Sequence, residues 1–440
     1  MLLIYTHTIT ERFRYVLDIV FDTIIRTQFN LTTDREEFQK SSDPKLAYTK
    51  SQEGFDLFIR ADDLLFEETI RKASPMAEKT YVDFPKFFKS SDKDLLGYDL
   101  FAMVFYFSVR YEEYLPSEKD EHQRFKAENS LAYQYGCLQI PFLNLAIQQF
   151  GVELKQRFPE LKFEERPFNF LSTIDIDNAF AYAHKGIKRN IGGMGKDLLS
   201  LKLKDVVRRL GSNLNERKDP YNTFEYIHSL SKETQTALQY FVLIGDYSRY
   251  DKNPDYRNEG FRKLLKSLAT NYSIGLHPSY ESYSQPEKIG MEKKRLEEII
   301  GRKVTSARCH FLRVNLPETY RVFIKNGITD DYTMIYASQA GFRTGLCVPY
   351  KWFDLKKNCR TDLTLHTSVI MEGTLRDYNK LSADEAKDTS LALLEEVKKQ
   401  RGQFVSIFHN DSFVPEQADW INVYKELLKN SNSFHKTHNS

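Results

Sequence analysis

Residues 168–177, which read FNFLSTIDID, decide the fold of the larger part of this 440-residue chain. Their apolar and β-branched residues predict a buried strand that ends in two carboxylates, Asp175 and Asp177. Residues two apart on a strand point to the same face. Two neighbouring carboxylates are costly unless a cation neutralises them or one of them holds a proton. We therefore expect a metal ligand beside a general base; the alternative is a surface turn in which Asp177 and Asn178 act as caps.

Four more predicted strands follow, and each of them ends in a polar side chain. They read QYFVLIGD, NYSIGLH, KVTSARCH and GQFVSIFH, and they end at Asp246, His277, His310 and His409. Helical periodicity over residues 260–270, 288–300, 317–326 and 383–401 separates most of them. Functional side chains at the carboxyl ends of alternating strands are typical of β/α barrel enzymes. We predict an α/β fold with a C-terminal β/α barrel, and an open doubly wound sheet is the alternative.

The chain divides into a smaller and a larger part. Residues 1–165 alternate strand-like and helical stretches without any spacing that chemistry requires, which predicts a small α/β accessory domain of unknown role. Residues 166–428 contain the predicted barrel. Residues 429–440, with the sequence KNSNSFHKTHNS from Lys429 onward, predict a flexible tail.

Composition excludes several classes of protein. The chain has 63 Lys and Arg against 61 Asp and Glu, a formal net charge of +2, so it lacks the basic excess of a nucleic-acid binder. Its 41% hydrophobic residues exclude wholesale disorder. The apolar run at residues 101–109 is far shorter than the roughly 20 residues that span a bilayer, and no signal peptide is legible. We expect a cytoplasmic protein without a transmembrane segment.

Residues 183–220 form a basic segment between the first two predicted strands. They carry ten Lys and Arg against four acids, together with leucines and valines that fall partly at helical spacing. Two interpretations stay open. The segment is either a solvated helical excursion or a basic surface that makes peripheral contact with an anionic or lipid-linked partner.

The polar strand ends supply groups of the types that bind metal ions and transfer protons. His277 lies four residues before Glu281, so that a short turn brings both groups to one ion. Arg308 and His310 are two apart on a predicted strand, and a guanidinium holds a carboxylate in its charged form. His409 has an ordinary pKa near 6.5, which suits a general acid.

The order of these polar residues along the chain resembles the motif order of the polysaccharide deacetylase family, the NodB-like carbohydrate esterases of family 4 type. The T-x-D-D motif corresponds to residues 173–177, the H-[ST]-x-x-H motif to residues 277–281, the R-x-P-[YF] motif to residues 308–311, and the final apolar strand and histidine to residues 407–409. Two positions depart from the pattern: Glu281 replaces the second histidine, and His310 replaces proline. Residues 317–354 resemble a bacterial subgroup with an additional uncharacterised amino-terminal domain.

The resemblance implies a distorted β/α barrel and a role for each matching residue. Asp175 is then the general base, His409 the general acid, and Arg308 the group that orients the base. The implied metal ligands are Asp177 and His277, with Glu281 or His310 completing the site. Zinc is the first expected ion, and cobalt, manganese and nickel are alternatives. From position alone, Asp246, Tyr280, Tyr332 and Trp352 are candidates for sugar binding.

The implied function is metal-dependent hydrolysis of acetyl groups, N-acetyl ahead of O-acetyl, on a glycan or glycan precursor. The alternative is a catalytically inactive relative that binds glycans or acts as a scaffold, because the second histidine of the motif is missing.

Overall fold

The computed structural model of the protein describes residues 1–72, 75–77, 82–90 and 94–431. It shows a mixed α/β fold. The strands in chain order are β1 Leu2–Thr6, β2 Phe29–Thr32, β3 Lys45–Thr49, β4 Phe58–Arg60, β5 Asn169–Ile176, β6 Ala237–Leu243, β7 Ser273–His277, β8 Ser306–Ala307, β9 Asp330–Asp331, β10 Tyr350–Asp354, β11 Cys359–Leu365, β12 Ser368–Met371 and β13 Gln403–His409.

The helices in chain order are α1 Glu11–Leu17, α2 Arg35–Lys40, α3 Leu100–Ser108, α4 Leu131–Gln134, α5 Phe142–Arg157, α6 Ile187–Leu199, α7 Leu203–Leu214, α8 Phe224–Glu233, α9 Glu259–Asn271, α10 Glu287–Ile300, α11 Glu318–Lys325, α12 Ala383–Lys399 and α13 Ala418–Ser431. The last of these includes the first three residues of the predicted tail, whereas residues 432–440 lie outside the described residues.

The chain forms two compact units, and each unit consists of several separate segments of the sequence. The first comprises residues 1–169, 341–367 and 395–403, and the second comprises residues 170–340, 368–394 and 404–440. The main division lies close to the boundary predicted at residue 165. Two later segments nevertheless belong to the first unit, because they pack with residues that are far away in sequence.

The first unit contains a small parallel sheet in the order β2-β1-β3-β4. Every residue of α3, with the sequence LFAMVFYFS, is buried in this unit. Its amino end is capped by Asp99, whose carboxylate accepts a hydrogen bond from the Ala102 amide at 2.9 Å. The longest apolar run of the chain is thus a core helix, and no described helix is long and apolar enough to cross a bilayer.

In the second unit the strands follow the order β9-β8-β7-β6-β5-β13-β12. The pairings from β5 through β9 are parallel, as is the pairing of β12 with β13. Parallel strands bring their carboxyl ends to one edge, where the predicted site residues lie. Among the described strands no pairing joins β9 to β12, so closure into a barrel stays a prediction.

The predicted strand before His310 is much shorter than the sequence pattern suggests. β8 consists of Ser306 and Ala307, so Arg308 lies just beyond it. His310 begins a single helical turn that continues to Leu312, and Phe311 adopts a left-handed backbone with φ of 57°. The prediction that Arg308 and His310 share a strand face is therefore wrong.

Candidate metal and hydrolytic site

Asp177, His277 and His310 meet at the carboxyl edge of the large sheet. One potential ligand atom from each lies within 4.8 Å of the others. The Nε2 atom of His277 is 3.2 Å from Oδ1 of Asp177, and Nε2 of His310 is 3.3 Å from Oδ2 of the same carboxylate. Two imidazoles and one carboxylate form a ligand set typical of catalytic divalent metal sites, which leave a coordination position open.

The tautomer of His277 directs a lone pair toward this site. His277 ends β7 and is 2% exposed. Its Nδ1 lies 2.6 Å from the backbone carbonyl oxygen of Arg308, which accepts only, so Nδ1 carries the proton. In the neutral ring Nε2 is then an acceptor that faces an acceptor oxygen of Asp177. Such a pair is favourable only with a proton or a cation between the two atoms.

His310 is oriented by a second carboxylate, that of Asp251. Its Nδ1 lies 2.9 Å from Oδ1 of Asp251. That carboxylate also accepts hydrogen bonds from the Tyr280 amide at 2.9 Å and the Ser248 hydroxyl at 2.8 Å. A carboxylate behind a metal-binding histidine sets its tautomer and raises its basicity. Sequence reasoning missed Asp251, because it lies in the loop after β6 without any recognisable spacing.

The residues present fit a divalent cation. Oδ1 of Asp177 is buried and no hydrogen bond reaches it in the described structure. Burial raises the pKa of Asp177, but the neighbouring histidines outweigh this effect and hold its pKa well below the usual value. Burial lowers the pKa of His310, but Asp177 and Asp251 raise it to about 9 overall. The raised pKa of His310 reflects the negative charge of the two carboxylates around it, and the lowered pKa of Asp177 means that this residue is an anionic carboxylate at neutral pH.

Asp175 lies beside this cluster and is held by Arg308. Asp175 is 2% exposed, and its Oδ1 accepts a hydrogen bond of 2.6 Å from Nη1 of Arg308. The guanidinium is itself fixed, because Nε donates to the Tyr332 carbonyl at 3.1 Å and the cation stacks on the Phe241 ring at 4.4 Å. Oδ2 of Asp175, 3.9 Å from Nε2 of His277, faces the cluster.

His409 is placed at the end of β13 and is paired with Glu372. Its Nδ1 is 2.8 Å from Oε1 of Glu372, and its Nε2 is 3.7 Å from Oδ2 of Asp177. Burial lowers the pKa of His409, but Glu372 and Asp177 together raise it well above the ordinary value. Sequence reasoning missed Glu372, although it directly follows β12 and the rule of polar residues at strand ends would have found it.

His310, and not Glu281, lies with Asp177 and His277 in the group of potential ligands. Glu281 is 41% exposed, and its carboxylate pairs with Lys288. The described group of potential ligands does not include it. The motif position expected to supply a ligand is thus occupied by a surface ion pair, and the third potential ligand is His310, in the turn after β8.

The four candidates for sugar binding have different surroundings. Asp246 is 57% exposed and pairs with Arg295 at 2.9 Å. Tyr280 stacks on Tyr250 with ring centroids 4.1 Å apart. Tyr332 is only 7% exposed, and Trp352 lies in the first unit and is 1% exposed. The two buried rings cannot present a face to a sugar, and the Tyr280 ring is also covered by the Arg313 guanidinium, 3.7 Å from its centre, so Asp246 is the most accessible of the four.

Comparison with known proteins gives a partial match. A family of unknown function, DUF7033, matches residues 2–159, where we expect an uncharacterised domain. No curated protein matches the chain. A Mycobacterium smegmatis protein provisionally assigned as a polysaccharide deacetylase is similar in structure, with a TM-score of 0.40, 14% identity, and coverage of 61% of this chain and 85% of its own. A polysaccharide deacetylase from Bacillus cereus is also similar, with a TM-score of 0.28, 12% identity, and coverage of 60% of this chain and 88% of its own. Because these likenesses are distant, we base the function on the site.

Proposed function

We propose that the protein is a metal-dependent hydrolase that removes acetyl groups, N-acetyl ahead of O-acetyl, from a glycan or glycan precursor. The observation behind this proposal is the meeting of Asp177, His277 and His310 beside two further pairs, Asp175 with Arg308 and His409 with Glu372. One ligand set, one fixed carboxylate and one histidine that favours its charged form are the parts that hydrolysis of an amide or ester requires.

Asp177, His277 and His310 would hold the ion. A bound divalent cation supplies Lewis acidity to a carbonyl oxygen and lowers the pKa of water. Oδ2 of Asp175 accepts the proton of the attacking water, because Oδ1 is engaged by Arg308. Nε2 of His409 donates a proton to the leaving nitrogen or oxygen, while Glu372 holds Nδ1 and favours the charged ring.

We propose an acetyl group as the group removed and a glycan as the substrate because the four sequence motifs occur in the order typical of polysaccharide deacetylases. The same motif order is the basis for proposing a distorted β/α barrel around the site. The alternative, an inactive glycan-binding relative, depends on the loss of the second histidine of the motif. His310 supplies an imidazole at the cluster despite that loss, and this observation favours the enzyme.

The test combines metal content with acetate release. We expect about one divalent ion per chain by elemental analysis, lost in Asp177→Asn and retained in Asp175→Asn. Acetate release from N-acetylglucosamine oligomers should fall in Asp175→Asn by about 10²–10⁴-fold, since a general base is removed. O-acetylated xylan, assayed in parallel, distinguishes amide from ester hydrolysis.

Glu281→Gln is the matched control. It removes a nearby carboxylate that is not in the cluster, so we expect unchanged metal content and unchanged acetate release. Purified protein that takes up no divalent ion after soaking with zinc would contradict the proposal. Equal acetate release by the wild type and Asp175→Asn would contradict the assignment of the base.

A further inference from the structure

Helices α6 and α7 form a hairpin that exposes an unusual amount of apolar surface. Soluble proteins rarely leave many large apolar side chains exposed in one place. In this hairpin the exposed apolar side chains, each at least 49% exposed, are Ile191, Leu198, Leu199, Leu201, Leu203, Val207, Leu210 and Leu214.

The amphipathic pattern of α7 is the reverse of that in an ordinary surface helix. Leu203, Val207, Leu210 and Leu214 follow one another at helical spacing and therefore lie on one face. Their exposure ranges from 51% to 89%. A surface helix normally turns such a stripe toward the core, but here the stripe faces solvent.

The polar side of the hairpin is the one that is anchored. Nη2 of Arg209 donates to Asp197 at 2.7 Å, and its guanidinium lies 4.6 Å from the centre of the Tyr182 ring. Ser212 is 1% exposed. Because these polar contacts hold the inner face, the outward position of the leucines is a consequence of how the hairpin is attached.

Four exposed apolar residues cluster where the two helices join. Leu199 at the end of α6 is 90% exposed, and Leu201 in the connection is 85% exposed. Leu198 and Leu203 flank them. The tip of the hairpin is thus an apolar projection.

Lysines surround this tip. Lys196, Lys202 and Lys204 are exposed, and none of them forms an ion pair with an acid in the described part of the chain. The acids of the hairpin face inward, since Asp197 pairs with Arg209 and Asp205 accepts from the Tyr182 hydroxyl at 3.4 Å. Arg208 pairs with Glu416. The tip therefore combines unpartnered leucines with uncompensated positive charge.

We propose that the α6–α7 hairpin docks on the surface of an anionic lipid bilayer. Leucines that enter the boundary of the acyl chains, with lysines extended to acidic headgroups, satisfy both features of the tip. A second copy of the chain fits less well, because a two-fold contact would bring equal positive charges against each other. The docking surface is independent of the hydrolytic site.

Vesicle flotation of the full-length protein tests this proposal. We expect binding to vesicles that contain phosphatidylglycerol and little binding to pure phosphatidylcholine, with a loss of binding as salt rises. Replacing Lys196, Lys202 and Lys204 by Gln should weaken binding about 100-fold, at roughly fivefold for each charge. Replacing Leu199, Leu201 and Leu203 by Ser should weaken it at least as much.

A matched control makes the same chemical change elsewhere. Val152, Met291 and Ile324 are also exposed, by 56%, 40% and 40%, and their replacement by Ser should leave binding unchanged. Thermal melting confirms that every variant is folded. Equal binding to both kinds of vesicle, or binding to neither, overturns the proposal. A wild-type dimer that becomes monomeric in the leucine variant, without vesicle binding, also overturns it and identifies a self-association surface.

Discussion

His310 is held between two carboxylates, and this position determines how it can act. Nδ1 faces Asp251 at 2.9 Å, while Nε2 faces Asp177 at 3.3 Å. Asp251 is itself buried and receives two further hydrogen bonds. The ring can neither rotate nor exchange its two nitrogens without breaking these contacts, so Asp251 positions a predicted ligand without belonging to the ligand set.

Asp251→Asn should weaken metal binding by about tenfold, because the amide keeps the shape of the side chain but removes the charge that makes His310 more basic. The measurement is competition for zinc against a colorimetric chelator. Asp255→Asn is the control: Asp255 lies in the same loop, is 50% exposed and pairs with Arg257, so zinc affinity should not change. Equal affinities of the wild type and Asp251→Asn would show that Asp251 has no such role.

At the level of elements, the close packing of β6, β7 and β8 fixes the orientation of the site. Gly275 on β7 leaves room for Phe241, since a Cβ atom there would lie 2.5 Å from the ring. The same Cβ atom would also lie 2.7 Å from Oγ of Ser306. Phe241 in turn stacks on Arg308, which holds Asp175. Gly275 thus packs against Phe241, which contacts Arg308, and we expect this packing to influence the positions of Arg308 and Asp175.

Gly275→Ala should lower the free energy of unfolding by about 1–3 kcal/mol through overpacking. It should also weaken zinc binding, because His277 lies two residues further along the same strand. Urea denaturation and chelator competition measure the two effects.

Gly211→Ala in α7 is the matched control. Nothing lies within 4 Å of a Cβ atom at that position, so alanine should stabilise the helix by up to about 1 kcal/mol. If Gly275→Ala matched the wild type in both stability and zinc affinity, the strand packing would not govern the site.

At the scale of the molecule, the first unit is discontinuous and depends on contacts between distant segments. Arg343, in the segment 341–367, donates two hydrogen bonds to Glu113 at 2.9 and 2.7 Å. Both side chains are at most 5% exposed. Arg110 pairs with the same carboxylate at 2.7 Å. Burial raises the pKa of Glu113, but Arg343 and Arg110 outweigh this effect and lower it overall.

Arg343→Ala should therefore destabilise the protein by about 3 kcal/mol, because it removes one partner of a buried ion pair. Arg360→Ala, in the same segment, removes exposed pairs with Glu11 and Asp18 and should cost less than about 1 kcal/mol. Urea denaturation compares the two variants. An equal loss in the free energy of unfolding for both variants would mean that burial does not strengthen the Arg343–Glu113 pair.

The sequence by itself determined the features that follow from local pattern. Alternating strands and helices, with polar residues at the strand ends, are sufficient to select Asp175, Asp177, His277 and His409 as candidate site residues. Side chains two residues apart on a strand point to the same face, so such a pattern can be recognised in the sequence alone. The same rule extends to Glu372, directly after β12.

Only the tertiary structure shows that His310, and not Glu281, lies beside Asp177 and His277, and that Asp251 lies behind His310. His310 and Asp251 are 59 residues apart, and the left-handed turn at Phe311 is absent from any strand pattern. The same holds for the segments 341–367 and 395–403, which join the first unit across more than a hundred residues. Such contacts depend on which surfaces pack together after the elements form, and local periodicity contains no information about that choice.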